Sequence, residues 1–268
     1  MFSSPSNAFP TNETLHLFSS ASSTLLSKHY NLTRKDLTKD LWNQYSSELM
    51  TMIVGQYFNK DPASRGLSYE QLYQYFKEEY DQIFTNDETF VHAFLYFNQE
   101  GRLVATFMFR DAVLYVKAHK KILEGMKPTD SFYDYYLQFC RIAEGYFNKF
   151  NVKKGECLYG TNLAFSAEFL EFLGSAKNVL NVILATFIDK ANWWREKAMR
   201  EKVFPYSMWT QFRKSLITTT KSLFNCLGDD DFKFVGGDNV IVDGKLFFVT
   251  YKKKEDEMKL WAKAASKL

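Results

Sequence analysis

Residues 163–187 read "LAFSAEFLEFLGSAKNVLNVILATF" and combine a candidate strand, a loop of small residues and a long helix. The opening apolar run fits a buried strand, and the small residues at 174–176 fit a loop. Apolar residues then recur at spacings of three and four over 179–194, as they do on one helix face. A strand that turns through Gly-x-Ala into a helix directs backbone N–H groups and the positive helix end at one point, so the stretch predicts an anion site.

The composition is that of a folded protein without a dominant charge. The chain has 268 residues, of which 46% are hydrophobic and 18% aromatic, enough for the core of one large domain. A net charge of +3 provides no basic footprint, which argues against a nucleic-acid partner. No run approaches the ~20 apolar residues that a membrane span needs, which argues against a membrane partner.

Cysteine and histidine patterns predict neither disulfides nor a metal site. The three cysteines, Cys140, Cys157 and Cys226, are scattered and contain no C-x-x-C pair. They are typical of reduced, buried side chains in an intracellular protein. The four histidines form no ligand spacing, so we expect no metal.

The N-terminal segment differs from the rest in composition. Residues 1–30 are rich in Ser, Asn and Thr and predict a flexible arm, whereas 31–268 show no linker and predict one domain. No basic region followed by an apolar core marks a secretory signal, so we expect a cytoplasmic protein. Organelle import stays open because the arm is Ser-rich and poor in acids, although the absence of Arg at its start argues against it.

The first half of the domain predicts helices around a hairpin. An amphipathic helix is expected over 33–58, and Ser68 with Gln71 forms a capping box for a second helix. Two apolar runs joined by a polar link at 98–101 that ends in Gly predict a β-hairpin. The aromatic stripe at helical spacing in 131–150 fits a core face, with a ligand-stacking surface as the alternative.

The second half predicts a βαβ unit followed by a hairpin. Strand 161–166, helix 174–198 and strand 206–212 form the unit, which makes the two strands parallel. A helix over 214–227 follows. Asp243-Gly244 between alternating runs then predicts a type I′ turn in a hairpin that closes the sheet.

The stretch that opens this section resembles the acetyl-CoA-binding segment of the GCN5-related N-acetyltransferase (GNAT) superfamily. There, a strand V-A-V-x-P-x-[YF] leads into Q/R-x-x-G-x-G/A and a helix. Glu171 takes the position of the Gln or Arg, Ala167 that of the Pro, and the loop is one residue longer. The matching residues are Leu163, Ala164, Phe165, Ser166, Glu168, Phe169, Gly174 and Ala176.

Two further segments are similar to the arylalkylamine (dopamine-type) N-acetyltransferases. "YFNKDPASRGLSYEQLYQYF" resembles their first-helix segment, in which a Glu-Pro pair precedes a short loop. "TTTKSLFNCLGDDDFKFV…VDGKLFFV" resembles their Ser/Thr-x-x-L-x-x-x-L-G-F helix and D-G-K-x-x-F hairpin. The residues in register are Thr220, Leu223, Leu227, Gly228, Asp243, Gly244, Lys245 and Phe248.

The resemblance implies a mixed α/β fold and an acetyl-CoA-dependent reaction. The expected fold is a mostly antiparallel central sheet flanked by helices, with one parallel strand pair adjacent at one end and splayed at the other. The expected function is N-acetylation of a small amine or arylalkylamine. Pantetheine would pair with Leu163, Ala164 and Phe165. The pyrophosphate would bind the N–H groups of Gly174, Ser175, Ala176, Lys177 and Asn178.

Two residues outside that segment are implied in the chemistry. The loop carboxylate of the family falls on Asp61, the expected base, and its helix hydroxyl falls on Thr220, which would relay a proton or orient the leaving thiolate. Each residue also has a plain structural interpretation. Asp61-Pro62 fits an ordinary turn or N-cap, and Thr220 fits a hydroxyl in a helix core.

A catalytically inactive GNAT-fold protein, serving as a scaffold or an assembly subunit with protein partners, is the alternative. The carboxylate at Glu171, the longer loop and the missing Pro favour it. The co-occurrence of Gly174, Ala176 and Asp61 favours the enzyme. The identity of the amine and the oligomeric state are left open by the sequence.

Overall fold

A computed structural model describes residues 30–58, 66–175, 206–211, 233–235, 240–241, 244–245 and 247–251, together with the helical residues 178, 179, 182, 183, 186, 189 and 193. The helices are α1 Lys39–Tyr57, α2 Tyr69–Ile83, α3 Ala112–Gly125, α4 Tyr133–Phe150 and α5 Ala167–Leu173. The strands are β1 Thr33–Asp36, β2 Phe90–Phe97, β3 Leu103–Asp111, β4 Cys157–Phe165, β5 Tyr206–Gln211, β6 Lys233–Val235, β7 Val240–Ile241, β8 Gly244–Lys245 and β9 Phe247–Tyr251.

A seven-stranded sheet forms the centre of the fold. Its strand order is β1-β2-β3-β4-β5-β9-β6. The pair β4–β5 is parallel, and every other described pair of this sheet is antiparallel. The predicted mixed, mostly antiparallel sheet with one parallel pair is therefore confirmed.

The two helices before the hairpin begin at residues whose side chains cap them. Thr38 Oγ1 accepts from the N–H of Leu41 at the start of α1, and Ser68 forms the predicted capping box with Gln71 at the start of α2. The prediction that helix α1 begins at Thr33 is wrong. Thr33–Asp36 is instead the edge strand β1, because its pairing with β2 supplies backbone hydrogen bonds that local helix formation would lose.

The predicted hairpin of β2 and β3 is confirmed. The tip lies at Asn98 to Arg102, where Gly101 has a φ of +77°, a backbone conformation that glycine adopts without steric cost. The Asn98 side chain accepts from the N–H groups of Glu100 and Arg102. These bonds fix the turn that sets the register of the two strands.

One face of the sheet carries α1 and α2. Helix α2 buries Leu72, Phe76, Tyr80 and Ile83. Trp42 of α1 stacks on Tyr80 at 5.3 Å.

Helices α3 and α4 pack together by the start of β4, and the aromatic stripe of α4 belongs to this core, as the core-face interpretation predicts. Its buried members include Tyr136, Phe139, Ala143, Tyr146 and Phe147.

The other face of the sheet carries the helical residues that follow α5. The ring of Trp193 stacks on the rings of His92 and Phe109, with centroid separations of 4.5 Å and 5.9 Å. The hydroxyl of Tyr96 donates to the carboxylate of Asp189 at 3.1 Å. Burial raises the pKa of Asp189 to about 7, while Arg34 and the Tyr96 bond oppose that rise.

Residues 167–173 form helix α5, not the strand end and loop that the sequence predicts. Ser166 caps this helix by accepting from the N–H of Phe169 at 3.1 Å. Phe169 and Leu173, four residues apart, share its buried face. Gly174 ends the helix at φ +64°, which is the left-handed conformation that glycine favours at helix ends.

The C-terminal hairpin differs from the predicted one in register. Strand β9 pairs with β5 and β6 in the main sheet, while β7 and β8 form a separate two-stranded sheet. Gly244 lies opposite Ile241 in that pair, so it is part of a strand and not of the predicted turn. The predicted helix over 214–227 and most of the arm lie outside the described residues.

Within the ranges that the structure describes, no helix is both long enough and apolar enough to cross a membrane.

Candidate functional site

The sheet forks between its two parallel strands. Pairing of β4 with β5 runs from Cys157 opposite Tyr206 to Gly160 opposite Trp209. Beyond Gly160, strand β4 still pairs with β3 as far as Phe165, and β5 still pairs with β9 as far as Gln211. In the described register β4 and β5 no longer pair with each other there. Beyond Gly160, the edge of β4 that faces β5 therefore presents backbone groups outside the ladder, as the predicted splay requires.

A β-bulge lies directly beyond the fork. Thr106 of β3 pairs with Ala164, and Met108 pairs with Thr161, so two steps along β3 correspond to three along β4. Asn162 is the bulged residue, with a φ of +50°. Asparagine tolerates this left-handed backbone better than most residues, and a bulge bends its strand. The sequence therefore bends β4 at the point where the fork opens.

The three strand residues predicted to bind pantetheine lie in this unpaired part of β4. Ala164 and Phe165 are buried, and Leu163 is partly exposed. Because the N–H of Ser166 donates to Val104 of β3, Ala164 directs its backbone groups to β3, and Phe165 directs its own to the β5 side, where no described strand pairs with it. The contact of these residues with pantetheine stays a prediction.

The loop after α5 carries the residues predicted to bind the pyrophosphate. The N–H groups of Gly174 and Ser175 donate to carbonyls of α5, at Leu170 and Leu173. Ser175 Oγ then accepts from the N–H of Asn178 at 3.2 Å, which caps the helical residues that follow. Ala176 and Lys177 lie outside the described residues.

The residue at the family's Gln or Arg position, Glu171, lies on the exposed side of α5. Its carboxylate is therefore hydrated and does not face the core of the sheet. The two residues predicted to act in the chemistry, Asp61 and Thr220, lie outside the described residues.

A buried charge cluster adjoins the fork, and the sequence did not predict it. Arg110 of β3 is only 2% exposed and donates to Glu79 of α2 at 2.9 Å. The same guanidinium donates to the carboxylate of Asp87 and to Thr89 Oγ1. It also lies over the ring of Tyr115 at 5.3 Å. One cation thus joins α2, the loop after it and the strand next to β4.

The two carboxylates of the cluster differ in proton affinity. Burial raises the pKa of Glu79, and the opposing effect of Arg110 does not cancel that rise. Burial also acts to raise the pKa of Asp87, but Arg110 and the hydrogen bonds from Thr89 hold it below its usual range. Burial would lower the pKa of Arg110, but Glu79, Tyr115 and Asp87 raise it, so the guanidinium stays charged.

Strand register connects this cluster to the fork. Arg110 of β3 lies opposite Tyr159 of β4, one residue before Gly160, where the pairing of β4 with β5 ends. The hydroxyl of Tyr80 on α2 is buried and has no hydrogen-bond partner within the described part of the chain. Helix α2 therefore places the Glu79 carboxylate, through Arg110, on the strand next to the fork.

Aromatic side chains surround the cluster on the side of α3 and α4. The rings of Tyr115 and Tyr159 lie 5.2 Å apart, and the hydroxyls of Tyr75 and Tyr136 contact one another. His119 bonds through Nδ1 to the carbonyl of Tyr115 at 2.8 Å. Burial lowers the pKa of His119 to about 4, against the effect of that hydrogen bond. At neutral pH these aromatic side chains and the neutral His119 therefore add no positive charge to the cluster.

Comparisons with known proteins agree on the fold. An agmatine N-acetyltransferase, as a serine-to-alanine mutant in its apo form, has a TM-score of 0.50 and 10% identity, covering 82% of this chain and 98% of that one. The polyamine N-acetyltransferase of Drosophila melanogaster, which forms N-acetylagmatine, gives the same values: 0.50, 10%, 82% and 98%. NAA60 of Arabidopsis thaliana, in complex with acetyl-CoA, has a TM-score of 0.36 and 10% identity, with coverage of 82% and 97%.

No family model matches the sequence, and no curated protein matches it significantly. At this level of identity, the structural likeness to the agmatine and polyamine enzymes establishes the fold. The chain has the mixed α/β fold of the GNAT acetyltransferases, as the resemblance implied.

Proposed function

We propose that the chain is an acetyl-CoA-dependent N-acetyltransferase that acts on small amines. The observation that carries the proposal is the fork, where β4 runs on past Gly160 without β5 beside it. An unpaired strand edge offers alternating N–H and C=O groups, which suit a ligand that contains amides. The likeness of fold to two N-acetyltransferases of small amines supports the same conclusion.

The residues at the fork fit the two chemically distinct parts of CoA. The amides of pantetheine match the edge of β4 at 163–165, where Phe165 directs its backbone groups away from β3. The pyrophosphate matches the start of the helical stretch at Asn178, where an anion would replace the Ser175 hydroxyl as the cap. Because Gly174 and Ser175 already donate to α5, the donors for that anion are the N–H groups of Ala176, Lys177 and Asn178.

The exposed position of Glu171 favours a working site over the scaffold alternative. A carboxylate beside a pyrophosphate costs about 1 kcal/mol at 4 Å in water and several times that where the dielectric is lower. On the outer side of α5, the Glu171 carboxylate stays in water, so its repulsion of the pyrophosphate is screened.

Bound acetyl-CoA would supply the activated acetyl group, and the chain would supply positioning and proton transfer. An amine must lose its proton before it can attack a carbonyl carbon, so a general base within reach of the amine would speed the reaction. The resemblance to the GNAT family implies that Asp61 takes that proton and that Thr220 donates a hydrogen bond to the departing sulfur. Holding both substrates in one site supplies much of the remaining rate enhancement.

The function is tested by measuring thiol release from acetyl-CoA in the presence of amines. Phenethylamine represents the arylalkylamines that the sequence resemblance implies, and agmatine represents the substrate of the compared enzymes. We expect amine-dependent release of CoA with one acetylated amine formed for each thiol. Thiol release at the same rate without amine, or none with any primary amine, would contradict the proposal.

A further inference from the structure

The charge cluster next to the fork carries an excess of negative charge. It contains two carboxylates, Glu79 and Asp87, and one guanidinium, Arg110, so its formal charge is 1 − 2 = −1. The side chains are 18%, 10% and 2% exposed respectively. Among the described residues no second cation pairs with either carboxylate, since His119 is held neutral and Lys77 pairs with Asp81.

An uncompensated buried charge is costly, so its presence calls for a partner. Removing an ion from water is unfavourable in a protein unless a counter-charge is nearby. In the protein alone this cost is expressed as the raised pKa of Glu79. A bound cation would remove the cost by pairing with the carboxylate. The cluster is therefore built for a positive charge that the described chain does not contain.

Glu79 is the member of the cluster that a ligand at the fork can reach. Its side chain is 18% exposed, against 10% for Asp87. It bonds to Arg110, which lies opposite Tyr159 of β4, one residue before the last paired residue of β4. Asp87, by contrast, is occupied by Arg110 and by Thr89. A carboxylate has about four acceptor positions, and Arg110 fills only part of those of Glu79.

We propose that Glu79 is the binding residue for the ammonium group of the amine substrate. The ligand is a primary ammonium ion, which brings the cluster to neutrality on binding. The guanidinium of Arg110 positions the carboxylate through the bond at 2.9 Å. This inference rests on the proposed function and names the feature that selects cationic amines over neutral analogues. Glu79 binds the ammonium group, and a proton of that group then passes to Asp61, the proposed base.

The test is calorimetric titration of phenethylamine into the full-length protein saturated with CoA, in which no acetyl group is present to react. The matched neutral probe is 2-phenylethanol, which has the same ring and chain length with a hydroxyl in place of the amine. Loss of a charge-assisted hydrogen bond predicts that Glu79→Gln raises the Kd for phenethylamine by about ten- to a hundredfold. The Kd for 2-phenylethanol should change less than twofold.

Two variants serve as controls. Glu78→Gln removes the same charge from the neighbouring residue of α2, which is exposed and bonded to Gln74. Asp87→Asn removes the same charge from the other partner of Arg110. Either Glu79→Gln or Asp87→Asn leaves one carboxylate with one guanidinium, so both should fold. We expect Glu78→Gln to bind phenethylamine within about threefold of the wild type, because its exposed charge is screened. Asp87→Asn removes the excess charge but keeps the Glu79 contact, so it should lose clearly less affinity than Glu79→Gln.

The outcomes separate the inference from the proposed function. Equal loss of affinity in Glu79→Gln and Asp87→Asn would overturn the inference, because net charge and not contact would then account for binding. A wild type that binds no amine, or a Glu79→Gln variant with unchanged affinity, would overturn it as well. If amine binding depends on Glu79 but no amine is acetylated when acetyl-CoA replaces CoA, the inference stands and the acetyltransferase proposal falls.

Discussion

Replacing Arg110 with methionine should destabilise the protein by about 3–5 kcal/mol, the range for removing one partner of a buried ion pair. Methionine fills a similar volume but leaves Glu79 and Asp87 facing each other without a cation. Both carboxylates would then take up protons more readily in the folded than in the unfolded chain. The stability deficit should therefore be largest where both carboxylates are ionised and should shrink as the pH falls through their raised pKa values in the folded variant.

Denaturant unfolding of two matched variants checks this result. Arg102→Met removes an exposed arginine, 63% of whose side chain is accessible, and should change the free energy of unfolding by less than about 0.5 kcal/mol. The triple variant Arg110→Met, Glu79→Gln, Asp87→Asn removes all three charges and should recover part of the loss. A single Arg110→Met variant as stable as Arg102→Met would show that the cluster is not electrostatically coupled.

Asp61→Asn should lower the turnover number by about 10²–10⁴, the usual contribution of a positioned general base. The amide cannot take the ammonium proton, while its shape and its tolerance of a turn are close to those of aspartate. Binding of acetyl-CoA should persist, because the expected CoA contacts lie at 163–165 and 176–178. Steady-state kinetics together with an acetyl-CoA titration separate the two effects.

The control is Asp40→Asn, at the exposed first turn of α1, which should keep full turnover. An Asp61→Asn variant with unchanged turnover would reduce Asp61 to a turn residue. Raising the pH, which deprotonates the amine in solution, should partly restore the rate of Asp61→Asn. A rate that stays low at every pH would instead indicate damage to the site as a whole.

Local features of the fold could be predicted because short-range chemistry decides them. The capping box at Ser68 and the turn at Gly101 depend on side chains within four residues. Strand β1 was missed because its structure depends on pairing with β2, some 60 residues away. Helix α5 was missed because the family pattern led us to expect a loop, although Ser166 is a good N-cap and Gly174 a good C′ residue.

The same distinction between local and long-range determinants applies to the residues of the candidate site. The strand edge at 163–165 could be predicted because a motif marks it, and the structure places those residues beyond the fork. The cluster of Glu79, Asp87 and Arg110 could not, since its members are brought together by packing of α2 on β3. One signal was present in the sequence: Arg110 ends the otherwise apolar run "LVATFMF", and a buried arginine needs a carboxylate partner.

The most direct test of the central claim is whether the folded protein binds acetyl-CoA at the fork. Thermal unfolding of the full-length chain should shift upward with acetyl-CoA, corresponding to about 2.7 kcal/mol of stabilisation at a hundredfold excess over Kd. Lys177→Glu, which places a carboxylate at the expected pyrophosphate position, should abolish the shift, while Lys153→Glu before β4 should not. An unfolding temperature that does not respond to millimolar acetyl-CoA, or an equal shift in both variants, would contradict the account.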